Sequence, residues 1–383
     1  MGGLEGGRVV RELILEEIED ILVGCAILGT GGGGSLETGL KMIRADAVAG
    51  KVVRLASADE LPGDVLVVSP YFAGSISPLT PEQVAAYEGL PRVNELESII
   101  AARALAAYLG KEIGAVISTE LGGGNTASAL TSAANLGVPV VDGDPAGRSV
   151  PELIHSTFFI NGVSIAPMGL ANQFGDAAVL TRVVNDFRAE ALVRAMAVAS
   201  QNKIGVADHP LPARELPGKV IEGAISRAEK IGAALRRAKS AGTGGTEAAE
   251  AVRQAGEGFH LFCGTITRAW WKDEAGFTLG EIEIRGSGPD SGSAYRISYK
   301  NEHMAAWRDG AVDVTVPDLI VVLDGQTGDP VINPGAREGQ AVTVIGFPAP
   351  AAWRTPRGLE LFGPAYAGVS SPYVPIERRG RSA

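Results

Sequence analysis

Asp64 to Ser69, Ile113 to Thr119 and Val138 to Val141 are short apolar, β-branched runs, and a helical pattern lies between each successive pair. Such runs are the signature of strands buried on both faces. Leu96, Ile99, Ile100, Leu105 and Leu109 trace one helical face, with Asn94 and Glu97 spaced as a capping box. Thr126 to Leu136 supplies the second helix. Strand, helix and strand in succession predict a right-handed parallel βαβ unit, hence an α/β fold.

Upstream, Leu15, Ile18, Ile21, Leu22 and Cys25 fall at helical spacing, so Leu15 to Leu28 reads as an amphipathic helix with Cys25 a buried small hydrophobe. It ends in Gly29-Thr30-Gly31-Gly32-Gly33-Gly34-Ser35, before a second short helix. Beyond Met168 two long alanine-rich helices are expected, Asp176 to Ser200 and Val220 to Lys239, followed by a glycine loop at Ala241 to Thr246. Strands then dominate: Phe259–Trp271, Phe277–Ile284, Ala294–Tyr299, Leu319–Leu323 and Val342–Ile345. The expected organisation is an N-terminal parallel or mixed-sheet α/β domain, 1–168, and a smaller strand-rich α+β domain, 169–383.

A net charge of −10 opposes a phosphate backbone, and no basic run with interleaved aromatics offsets it, so nucleic acid is not an expected partner. No apolar run is long enough for a membrane helix. The segment Met1 to Arg11 lacks the features of a secretory signal, and two widely spaced cysteines, Cys25 and Cys263, make no disulfide framework or zinc motif. A cytoplasmic protein is expected, with Arg378, Arg379 and Arg381 a solvated basic tail.

Three glycine-containing turns are candidate walls of a small-molecule site. The run Gly29 to Gly34, which holds Thr30, Gly31, Gly32 and Gly33, contains a formal dinucleotide fingerprint, but a helix rather than a strand precedes it, so no nucleotide cofactor is expected. The second turn, Glu120-Leu121-Gly122-Gly123-Gly124-Asn125, leaves the carboxyl end of a parallel strand, where open sheets bind ligands; Asn125 serves either there or as a helix cap. In the third, Asp142-Gly143-Asp144-Pro145-Ala146-Gly147-Arg148 with Glu152 beyond, two carboxylates two residues apart form either a hard-cation site or a pair with one raised pKa. Arg148 either grips a substrate carboxylate or pairs within the turn. The candidate catalytic groups are therefore Asp142, Asp144 and Glu120, and the candidate substrate contacts Thr30, Gly31, Gly32, Gly33, Gly123, Gly124, Asn125, Arg148 and Glu152. His155, His209, His260 and His303 show no metal spacing; a divalent metal stays open, with no ligand set to be read. Lys300-Asn301-Glu302-His303 either reaches across an interdomain cleft or ends its strand in solvent.

LGTGGGG at Leu28 to Gly34, ELGGGN at Glu120 to Asn125, DGDPAGR at Asp142 to Arg148 with Pro151-Glu152, FGD at Phe174 to Asp176, Asn301-Glu302 and WRTPRGLELFGP at Trp353 to Pro364 together resemble the S-methyl thiohydantoin desulfurase family. The resemblance implies an α/β domain followed by a strand-rich one, and hydrolysis of a small hydantoin-like ring with release of methanethiol. Family members fused to hydantoinase or oxoprolinase subunits imply an accessory role in ATP-linked ring cleavage as the alternative. A non-catalytic small-molecule-binding protein and a homo-oligomer also stay open.

Overall fold

The computed structural model describes residues 10–74, 79, 81–274 and 276–379; the segment before Val10 and Arg381 of the tail lie outside them. The first sheet has eight strands in the order Arg11–Leu13, Val53–Ala56, Val140–Val141, Ile113–Val116, Leu66–Gly74, Lys203–Pro212, Met168–Ala171 and Ala177–Leu180. Its four central members, Val53–Ala56 through Leu66–Gly74, are parallel, as the strand and helix alternation predicts. Lys203–Pro212 runs antiparallel to Leu66–Gly74, so the sheet is mixed.

The second sheet is wholly antiparallel, in the order Ala311–Thr315, Glu302–Arg308, Ala294–Lys300, Phe277–Gly286, Phe259–Glu274, Ala341–Phe347 and Leu319–Asp324. The architecture is α/β with a strand-rich C-terminal sheet. Strands Met168–Ala171, Ala177–Leu180 and Lys203–Pro212 complete the first sheet. No helix among the described residues is long and apolar enough to cross a membrane.

Several local expectations are corrected. Asp176 to Ser200 is not one helix: Ala177–Leu180 is an edge strand, and the helix is Asp186–Val198, started by the Asn185 side chain accepting from Arg188 N. Leu96, not Asn94, precedes the helix Glu97–Leu109, and it makes no side-chain cap. The glycines after residue 240 lead directly into a further helix, Gly245–Ala255.

Helix Leu15–Leu28 lies against helix Ala224–Ser240, and their backbones approach closely because small residues face each other. A Cβ on Gly24 would strike the Ala228 carbonyl, and one on Gly232 the Asp20 carbonyl. Arg236 closes the contact with a forked pair to Asp20 at 2.9 Å. Cys25, on the apolar stripe, is fully buried and its thiol is pushed up to about 12 by that burial, which fits a packing role. Gly232→Val should therefore lower stability by about 1–3 kcal/mol, measured as a lower urea midpoint; an unchanged midpoint would show that the helices can separate at no cost.

Candidate active site between the two sheets

The carboxyl ends of the parallel strands face the second sheet across a cleft of about 480 Å³, a size suited to a small-molecule ligand. Gly31 to Gly34, Glu120, Asn125 and Glu152 line it from the first half of the chain, and Glu302 and Asn333 from the second. Of the glycines in the three turns, only Gly31 to Gly34 line it; the second turn contributes Glu120 and Asn125, and the third Pro145. Gly33 has φ of +79°, and its Cα abuts Gly122 so closely that a side chain on either would overlap the other's backbone. The Gly33 carbonyl accepts from Gly124 N at 3.0 Å and Asn125 N at 3.1 Å, satisfying the amino end of helix Asn125–Leu136. Gly123 and Gly124 face Leu36 and Gly34 and are not among the residues lining the cleft.

Gly32 sits against the second sheet, where a Cβ would overlap the Glu302 carboxylate. Glu302 is buried in the cleft wall; Ser149 Oγ donates to its Oε1 at 2.9 Å, and its Oε2 has no hydrogen-bond partner among the described residues. Burial, then the negative charge of Glu120, pushes the Glu302 carboxyl up to about 8. Glu120 accepts from Asn125 Nδ2 at 2.7 Å and Val150 N at 2.8 Å; burial raises it as well, opposed by those bonds. Burial raises both carboxyls, and Glu120 adds a like-charge penalty to ionising Glu302, so Glu302 holds a proton at neutral pH. Asn125 begins its helix and orients Glu120, while Gly124 takes the cap position.

The acidic turn has another task. Asp142 accepts from Ser226 N at 3.0 Å and Ser226 Oγ at 2.5 Å, holding the first turn of helix Ala224–Ser240. Asp144 is fully buried and accepts from Gly147 N at 2.8 Å and Ala146 N at 3.3 Å; burial pushes it up to about 8. Neither lines the cleft, because residues two apart diverge once the strand Gly143–Asp144 turns at Pro145. Arg148 is fully buried and does not line the cleft either. Its guanidinium donates to Thr30 Oγ1 at 2.8 Å, Ser149 O at 3.0 Å, Pro317 O at 3.0 Å, Asp318 O at 3.2 Å and His303 O at 3.3 Å, over the Phe362 ring. Thr30, buried at φ of 51°, is an acceptor for this brace rather than part of the cleft lining. Glu152 does line the cleft, but Lys300 Nζ and Tyr366 OH both donate to it. Burial alone would raise its carboxyl; these two donors outweigh that and lower it.

Sequence reasoning set His209 aside, yet it lines the cleft together with Asp208 and Tyr71. The signal was Asp208-His209-Pro210 itself, a carboxylate beside an imidazole. His155 is buried between Phe362 and Tyr366, and burial lowers it to about 3; His303 is buried, donates from Nδ1 to Ile320 O at 2.8 Å, and is lowered by burial to about 4. Both are neutral at physiological pH. His260, Cys263 and Asp290 gather ligand atoms within 4.8 Å of one another, but they lie outside the cleft, and Arg308 donates to Asp290 at 2.8 Å.

Family models describe the chain as S-Me-THD-like, N-terminal domain over residues 16–182, and S-Me-THD-like, C-terminal domain over residues 184–376. The chain belongs to the S-Me-THD-like family. A crystal structure of a protein from Chromobacterium violaceum matches at a TM-score of 0.75 and 24% identity, covering 96% of this chain and all of that one, which supports the same fold. Comparison with curated proteins gives no match. Within the S-Me-THD-like chain, Arg148 joins both family domains. Arg148→Met should cost about 3–5 kcal/mol of stability, since carbonyls paired with a charge are left buried. Chemical denaturation measures this; a variant of wild-type stability and raised KM would instead make Arg148 a substrate ligand.

Proposed function

We propose that this S-Me-THD-like protein is a cytoplasmic hydrolase that replaces the methylthio group of an S-methylated thiohydantoin-type ring by oxygen, releasing methanethiol. The observation that carries this reading is Glu302, a carboxyl in the cleft wall with one oxygen unpaired among the described residues and a pKa of about 8. The ring carbon bearing sulfur is flanked by nitrogens, and protonating one of them makes that carbon electrophilic. Glu302 supplies this proton through Oε2, and burial together with the neighbouring Glu120 keeps it protonated until substrate arrives. Water adds to the carbon, the emptied Glu302 takes the proton of the new hydroxyl, and the C–S bond breaks to leave a ring carbonyl, the other water proton passing to the departing sulfur to give methanethiol. The family membership and the small volume of the cleft both support a compact ring as substrate.

Purified protein supplied with S-methyl thiohydantoins should release a free thiol; no release from any of them sinks the reading. Glu302→Gln should lower kcat by about 100-fold or more. The acid must be protonated, so wild-type activity falls as pH rises through about 8. Glu120→Gln removes the like charge that raises Glu302, so this alkaline limb should move to lower pH; a limb that stays in place would separate the two carboxyls.

A further inference from the structure

We infer that Tyr71, Asp208 and His209 form a second proton-transfer centre, in which His209 Nε2 takes the proton of the attacking water and returns it to the departing thiolate. The inference rests on the hydrolytic reading above and assigns the step that the carboxyl pair leaves open. Asp208 lies on strand Lys203–Pro212 opposite Ser69 of strand Leu66–Gly74, next to a register shift in that pairing. His209 follows at φ of 45°, a left-handed conformation uncommon for a residue with a side chain and concentrated at functional sites. The turn lays its ring on Phe158, with centroids 4.6 Å apart.

His209 Nδ1 is 2.9 Å from Asp208 Oδ1, and Tyr71 OH donates to Asp208 Oδ2 at 2.7 Å. Burial, then Asp208, keeps the Tyr71 phenol protonated far into the alkaline range, so it remains a donor. A carboxylate held this way fixes the proton of a neutral imidazole on Nδ1 and leaves the lone pair on Nε2. His209 is only 5% exposed, and Nε2 has no hydrogen-bond partner among the described residues. An unpartnered buried nitrogen beside a cleft is costly without a ligand to meet it. The Asp186 carboxyl on the neighbouring helix is raised by burial and lowered by His209, and Glu190, paired with Arg194, lines the same cleft.

The protons balance. Glu302 protonates a ring nitrogen, and His209 takes one proton from water as its oxygen bonds to carbon. On collapse Glu302 recovers the hydroxyl proton, and the imidazolium gives its own to sulfur as the C–S bond breaks. One water and one S-methyl ring become one carbonyl ring and one methanethiol, and both groups return to their starting state.

The left-handed backbone makes glycine the tolerated replacement. His209→Gly should lose about 100-fold or more in kcat, and added imidazole should restore at least about tenfold of it, whereas Glu302→Gln should gain nothing. Full activity in His209→Gly, or loss without imidazole rescue, overturns the relay while wild-type thiol release keeps the hydrolytic reading intact. Nitrogen-15 NMR of the wild type decides the relay without turnover. Its neutral ring should carry the proton on Nδ1, and a neutral ring protonated on Nε2 overturns the assignment even if no thiol is released.

Discussion

A buried guanidinium ties the two sheets together at the edge of the cleft, beside a hydrophobic core that both sheets share. Arg148 donates to the first glycine turn through Thr30, to the His303 carbonyl of the second sheet, and to the Pro317 and Asp318 carbonyls of a turn joining two of its strands. Burial lowers it only to about 10, so it stays charged at neutral pH. Asp144 folds the turn that presents it, through Ala146 N and Gly147 N. An arginine suits this place because its planar fork satisfies several carbonyls at once. Beside this brace, His303 N and Asn333 N donate to the Thr30 and Gly31 carbonyls, so the first glycine turn is fastened to the second half of the chain at the cleft.

The brace also shapes the electrostatics. It brings Glu302 from the second sheet against Gly32 and Ser149, within reach of the charge of Glu120. Each carboxyl alone is partly compensated, by Ser149 for one and by Asn125 and Val150 for the other. Together, and away from water, they favour a state with one proton between them. The chemistry proposed for this family member therefore depends on tertiary packing, and neither half of the chain contains it alone.

That dependence explains what was legible in the sequence. Helix Leu15–Leu28 was read to the residue, and the parallel strands and five strands of the second sheet were also visible, because periodicity and turn residues are local signals. Strand Lys203–Pro212 was missed because Asp208, His209 and Pro210 interrupt its apolar pattern, and these interruptions are where it meets the cleft. The position of Asp142 and Asp144 at a sheet edge was legible, but position does not fix direction, and their carboxylates turn to Ser226 and to the turn's own amides. Glu302 could be read only as one of two alternatives, since its neighbour Glu120 lies far away in sequence and is brought near by packing.

The protonation state of Glu302 tests the account most directly. Infrared difference spectra of wild type against Glu302→Gln isolate its carboxyl stretch across a pH series. A protonated band that persists through neutrality and disappears near pH 8 agrees with the buried pair. A carboxylate band already complete at pH 6, where an ordinary glutamate is ionised, would contradict it.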